Sequence, residues 1–215
     1  MRKLLTILAV SVAALAVQAN PKGYIMLAVH SPGELPSPAY DINGVRLSLL
    51  YGDCQNLNGF DFGFAGRIRE RMNGAQIAFG FNIVDSDFNG YELAWVNYVS
   101  GDFNGLQRGF YNYVNALAGV QEGVINIATR IQGFQGGCLA FNWADEFEGS
   151  QEGIWNGASV GFGLQYGLVN TAGYMAGAQI GLFNWANNLD GLQLGLSNVV
   201  ADQACPWLPF LNVGW

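Results

Sequence analysis

Between residues 44 and 204 apolar and polar positions alternate in short bursts that restart every 14 to 16 residues. Glycines at 44, 59, 74, 90, 105, 119, 133, 149, 163, 177 and 191 mark the restarts, with successive spacings of 15, 15, 16, 15, 14, 14, 16, 14, 14 and 14. Counting from each glycine, positions 1, 3 and 5 are mostly apolar, as in Ala178, Ile180 and Leu182 or Leu192, Leu194 and Leu196. Position 2 is polar throughout: Arg46, Asp61, Gln76, Glu92, Gln107, Gln121, Gln135, Gln151, Gln165, Gln179 and Gln193. Position 4 is small in every repeat, from Ser48 and Gly63 to Gly181 and Gly195. Position 7 is asparagine in seven repeats (Asn97, Asn112, Asn126, Asn156, Asn170, Asn184, Asn198), and Asn82 and Asn142 stand one and two places further on. A period of two reads as a strand, and no 3.6-residue period competes with it. Each unit, GxQxGxxN, therefore predicts one strand and one short loop.

Two all-β architectures accommodate eleven such units. In the first, a β-solenoid with capped ends, each repeat is one coil and equivalent positions stack in rows about 4.8 Å apart. The odd positions are then expected to fill a thin core. Asparagine forms a ladder at one corner, glycine makes the opposite corner with positive φ, and the glutamines line the outer face as a second ladder. The alternative is an up-and-down β-barrel of about 12 strands with odd positions facing lipid and Gln, Gly and Asn inside, an arrangement that an even strand count and the terminal Trp215 favour. A three-residue apolar band spans only about 17 Å, short of the roughly 25 Å of an outer-membrane barrel. Arg108, Glu122 and Glu152 also fall in the odd row, where Arg108 and Glu122 occupy equivalent places in adjacent repeats and can pair. All six prolines (21, 32, 36, 38, 206 and 209) lie outside the eleven repeats, as residues that block exposed sheet edges should. The solenoid is the expected fold.

The flanks complete the domain plan. Residues 1–19, MRKLLTILAVSVAALAVQA, read as a secretory signal: Arg2 and Lys3, an apolar run from Leu4 to Val17, and a small-residue cleavage site ending at Ala19. Residues 20–43 form an N-terminal cap segment, 44–204 the eleven-repeat array, and 205–215 a degenerate last repeat and cap, with Cys205 in the glycine place and Asn212 in the asparagine place.

The repeat GLQLGLSN at 191–198, the opening NGVRLSLLYGDCQNLNGFDFG at 43–63 and the ending PWLPFLNVGW resemble an uncharacterised family of bacterial surface-repeat-containing proteins. The similarity covers residues 24–215 and departs from the pattern at the Gly133 and Gly149 repeats. The resemblance implies an exported protein of the periplasm, outer membrane or cell surface, and it brings no activity, ligand or catalytic residues.

Composition narrows the chemistry. Only 12% of the residues are charged, and the net charge is −7, or −9 once a segment with two cations and no anions is removed. That balance disfavours a nucleic-acid partner, which needs clustered Lys and Arg. One histidine, His30, and three cysteines, Cys54, Cys138 and Cys205, leave little material for His-based catalysis or zinc clusters. Asp85-Ser86-Asp87-Phe88-Asn89-Gly90 resembles half a calcium loop, but Val96 stands where its bidentate glutamate belongs, so no metal or other cofactor is expected. Asp145, Glu146 and Glu148 read as a solvated acidic loop. The aromatics following asparagine, Tyr98, Tyr113, Trp143 and Trp185, are the candidate ligand-binding residues, because stacked rings on a rigid scaffold suit a glycan or an envelope protein. The expected function is non-enzymatic: an exported structural or interaction scaffold, with a small outer-membrane barrel or pore and a glycan-binding surface as alternatives.

Overall fold

A computed structural model describes residues 20–215, so the segment 1–19, expected from the sequence to be a secretory signal, lies outside the described residues. Among those residues the chain is all-β, with strands β1 (Lys22–Ala28), β2 (Glu34–Leu35), β3 (Asp41–Ser48), β4 (Gly52–Cys54), β5 (Leu57–Ile68), β6 (Met72–Val84), β7 (Phe88–Leu93), β8 (Val96–Gly136), β9 (Phe141–Ile180), β10 (Phe183–Val200) and β11 (Trp207–Gly214). The two longest, β8 and β9, wind through successive coils. The strands stack as parallel coils of a β-solenoid of about 12 turns, and the chain does not close into a barrel. We number the coils 1 to 11 from Gly44 to Gly191.

The repeat sets the register. Gly44 pairs with Gly59, Gly59 with Gly74, Gly74 with Gly90 and Gly90 with Gly105, and the same row continues through Gly133 with Gly149 and Gly177 with Gly191. All eleven repeat glycines have positive φ. A Cβ on Gly105 would lie 1.9 Å from the carbonyl oxygen of Gly90, so both the dihedral and the close approach of the coils require glycine there.

The wall orientation inverts the sequence expectation. The glutamines do not line the outer face: position 2 points inward and is fully buried from Gln76 through Gln193. Positions 1, 3 and 5, expected as the core, point outward, leaving Phe64 52%, Trp95 68%, Tyr166 53% and Leu196 58% exposed. The reason is the thickness of the interior. Gln179 Nε2 reaches across to the backbone oxygen of Trp185 in its own coil at 3.2 Å, so the space between the walls is one amide side chain wide. A Cβ on Gly181, the neighbouring inward position, would lie 2.6 Å from Asn170 Nδ2. Leucine or phenylalanine rows have no room there. The apolar core is confined to two seams. One precedes the repeat glycine by two residues (Met72, Phe88, Phe103, Leu117, Ile131, Phe147, Met175, Leu189), and the other runs from Val84 and Val99 to Ala186 and Val200.

Both ends are capped by antiparallel strands. β2 lies antiparallel on β1 at the N-terminal end. At the other end β11 runs antiparallel to β10, pairing Gly191 with Gly214 and Gln193 with Asn212. Residues 205–215 are thus a returning strand and not a parallel degenerate repeat, and Asn212 faces the glutamine row. Pro209 within β11 and the left-handed Phe210 (φ 68°) interrupt the outermost edge, which discourages further strand addition.

Candidate functional site

Three polar ladders run along the stack. In the first, each glutamine donates to its predecessor: Gln193 to Gln179, Gln179 to Gln165, and onward through Gln151, Gln135 and Gln121 to Gln107 at 2.7–2.9 Å, ending on Glu92 Oε2 at 2.8 Å. The second amide proton goes to a wall carbonyl, as with Gln193 and Val199. The buried asparagines run the opposite way, each Nδ2 donating to the next coil, from Asn82 to Asn97, Asn112, Asn126, Asn142, Asn156, Asn170, Asn184 and Asn198. The two buried rows of amide dipoles therefore oppose one another. An exposed third ladder joins Asn43, Asn58, Asn73 and Asn89. Burying so many amides is tolerable because donors and acceptors are matched along the interior of each row, the unpaired Asn82 Oδ1 and Gln193 Oε1 falling at row ends.

Charges replace glutamine at the N-terminal end of the first ladder. Arg46, fully buried, forms a bidentate pair with Asp61 (Nε–Oδ1 2.8 Å, Nη2–Oδ2 2.6 Å), and Gln76 Nε2 donates to the same carboxylate at 2.9 Å. Burial draws the Arg46 pKa down, but Asp61, Cys54 and Asp53 together raise it above its ordinary value and the guanidinium stays charged. Arg46 Nη1 also meets Cys54 Sγ at 3.1 Å; burial pushes that thiol up to about 11 against the opposing pull of Arg46. Glu92 has no cation beside it. Burial pushes its carboxyl up to about 8, with the hydrogen bond from Gln107 acting in the opposite direction. Glu92 Oε1 and Gln76 Oε1, at paired positions of adjacent coils, both lack a hydrogen-bond partner. A proton on Glu92 supplies the missing donor and makes the carboxylic acid a glutamine equivalent in the ladder.

The outer wall formed by positions 1, 3 and 5 carries an extended apolar surface. Three apolar columns run the length of the array, including Phe60, Phe62 and Phe64 in coil 2 and Leu192, Leu194 and Leu196 in coil 11. They cover about 50 Å by 14 Å, or roughly 700 Å², at strand and residue spacings of about 4.8 and 3.4 Å. A typical monomer's largest apolar patch is about 300–600 Å². Its central column is interrupted through coils 5 to 8 by Arg108, Glu122, Gly136 and Glu152, and Arg108 Nε donates to Glu122, the pairing that their spacing allows.

The sequence-predicted aromatics occupy the other wall in a single column, but not as a continuous stripe. Tyr98 and Tyr113 stack with centroids 4.8 Å apart and planes 9° from parallel. Ile127 separates them from Trp143 in the register, and Trp143 stacks instead on Trp155 at 5.7 Å, over Gly157. Trp185 stands 48% exposed beside Thr171. Most of this column is thus engaged within the stack. Asp85 accepts from Arg67 at 2.6 Å and Asp87 accepts the backbone N–H of Asp102 at 3.2 Å, which accounts for that loop within the solenoid. Glu146 and Glu148 line a groove of about 490 Å³ with Arg130, floored by Leu117, Ile131 and Phe147. His30 is exposed in the turn between β1 and β2, and its carbonyl accepts from Gly33. Cys54 is buried and Cys138 and Cys205 are exposed, all three as free thiols. The apolar wall was missed as a surface because the alternation alone does not say which side of the strand is inside. Compared with known proteins, the chain matches no family model, no curated protein and no solved structure.

Proposed function

We propose that the protein is a non-enzymatic, exported scaffold of the bacterial envelope or cell surface, of the surface-repeat kind that its repeat and ending resemble, and that its apolar wall is the surface through which it associates. The observation that carries this reading is that the molecule buries its amides and exposes its large apolar side chains over roughly 700 Å², which water penalises by about 25 cal/mol for each Å² left uncovered. The basic start, apolar run and small-residue site of residues 1–19 support export. Five of the arginines are held by carboxylates, Arg46, Arg67, Arg69, Arg71 and Arg108, which fits a structural use of charge. A glycan surface on the opposite wall rests on less, since its aromatic rings are mostly stacked on one another.

Hydroxyl-radical footprinting in the envelope and on the purified protein tests the reading. Tyr91, Trp95, Phe110 and Tyr166 on the apolar wall are expected to be shielded in situ, while Tyr98 and Trp185 on the other wall label in both. Equal labelling of the apolar wall in the two preparations would overturn it.

A further inference from the structure

Resting on that reading, we propose that the occupant of the apolar wall is a second copy of this chain, packed face to face and end for end about a two-fold axis lying in the interface parallel to the strands. Such an axis keeps positions 1, 3 and 5 opposite their own equivalents and reverses the order of the coils. Two stacked sheets then bury a common layer about 10 Å thick. Each copy contributes roughly 700 Å², on the scale of the about 800 Å² per partner of a stable interface.

Charge fixes both the direction and the register. Arg108 lies in coil 5, Glu122 in coil 6 and Glu152 in coil 8, all at position 3. A two-fold along the solenoid axis would set each of these charges against its own copy. End-for-end packing with coil 5 over coil 8 sets Arg108 against the partner's Glu152, twice by symmetry. Arg108 then sits between its own Glu122 and the partner's Glu152. The same register places Glu122 over the partner's Gly136, a position with no side chain of its own that lies beside the Phe134 ring. Shifting the register by one coil in either direction brings Glu122 against a glutamate of the partner and takes Arg108 off Glu152. An interfacial charge that loses its partner costs several kcal/mol, so these alternatives are disfavoured.

The apolar positions agree with the register selected by charge. Phe60, Phe62 and Phe64 of coil 2 meet the partner's Leu192, the partner's Leu194 and the partner's Leu196, so that large flat rings oppose branched side chains. Ala75, Ile77 and Phe79 of coil 3 meet the partner's Ala178, the partner's Ile180 and the partner's Leu182, placing small against small and large against large. A lipid surface offers no such compensation: it would submerge Arg108 at a cost of up to about 2–4 kcal/mol and Glu122 and Glu152 at somewhat less, and anionic lipid would repel a chain of net negative charge.

Sedimentation equilibrium on the purified exported protein tests the proposal. The wild type is expected to be dimeric at micromolar concentration. Glu152→Arg, at an exposed position, places like charges opposite one another and should weaken the dimer on the order of 100-fold. The triple reversal Arg108→Glu, Glu122→Arg, Glu152→Arg restores every pair within and between copies and should recover wild-type association to within about tenfold. A wild type that stays monomeric up to about 100 μM, a Glu152→Arg variant that dimerises normally, or a triple reversal that stays apart while its circular dichroism is native would each overturn the proposal. Flotation of the monomer with phosphatidylcholine vesicles would do so in favour of lipid. A monomer in solution whose wall is nonetheless shielded in the envelope would remove the dimer and keep the scaffold, whereas a monomer labelled equally in both would remove both.

Discussion

Replacing Glu92 by glutamine is expected to stabilise the protein at neutral pH and to leave it unchanged in acid. The buried carboxyl has a folded pKa of about 8 against an ordinary 4.5, so folding takes up a proton in the interval between them. Below 4.5 both states are protonated and the ladder is complete at no cost. As pH rises from 4.5 to 8 the unfolded chain is ionised while the folded one still holds its proton, and stability falls by about 1.4 kcal/mol per pH unit. The full loss is about 5 kcal/mol above pH 8, of which roughly 3 kcal/mol has accrued by pH 7. In Glu92→Gln the new amide donates to Gln76 Oε1 and its oxygen accepts from Gln107, so the same hydrogen bonds form without a titrating group. The assay is denaturant unfolding of both proteins from pH 4 to pH 9, followed by circular dichroism. The difference should be near zero at pH 4 and grow to several kcal/mol by pH 8. A constant difference across that range, or a less stable glutamine variant at pH 8, would refute the assignment of a protonated Glu92.

Three further outcomes follow from the same geometry. Gly105→Ala should cost about 3 kcal/mol or more in thermal or denaturant unfolding, since a Cβ there meets the Gly90 oxygen at 1.9 Å and the φ of 141° is unfavourable to alanine. Asn142→Ala should cost about 2–4 kcal/mol by the same assay, because it removes its bond to Asn156 and strips the acceptor from Asn126 Nδ2 in a buried row. Trp185→Ala, on the exposed column, should change stability by less than about 1 kcal/mol.

The spacing of the glycines carried most of the fold, because a residue that must have positive φ and no Cβ at every coil leaves a periodic trace. The asparagine row was legible for the same reason, since an amide that donates to its own copy one coil away and accepts from the copy before recurs with the period of the coil. Which side of the strand faces inward was not legible. Alternation at positions 1 to 5 fits either orientation, and the usual preference for leucine inside loses here to an interior one amide wide. The apolar seam at Phe88, Phe103 and Phe147 lies two residues before the glycine, outside the obvious alternation, and so was not read as the core. The reversal of β11 was equally hidden: Asn212 has the right residue type for the asparagine row, but the antiparallel return sets it against Gln193. Glu92 looked like one more polar residue at position 2; only its burial without a cation gives it a distinct chemistry.

The side-chain amide hydrogen exchange of Gln107, Gln121, Gln135, Gln151, Gln165, Gln179 and Gln193, followed by nuclear magnetic resonance on the folded protein, tests the inside-out solenoid most directly. Amide protons bonded to the neighbouring coil and to a wall carbonyl should exchange orders of magnitude more slowly than those of a free glutamine side chain. Exchange at the free rate would place the glutamines on the outside, return the leucines to the core, and remove the apolar wall on which the proposed association depends.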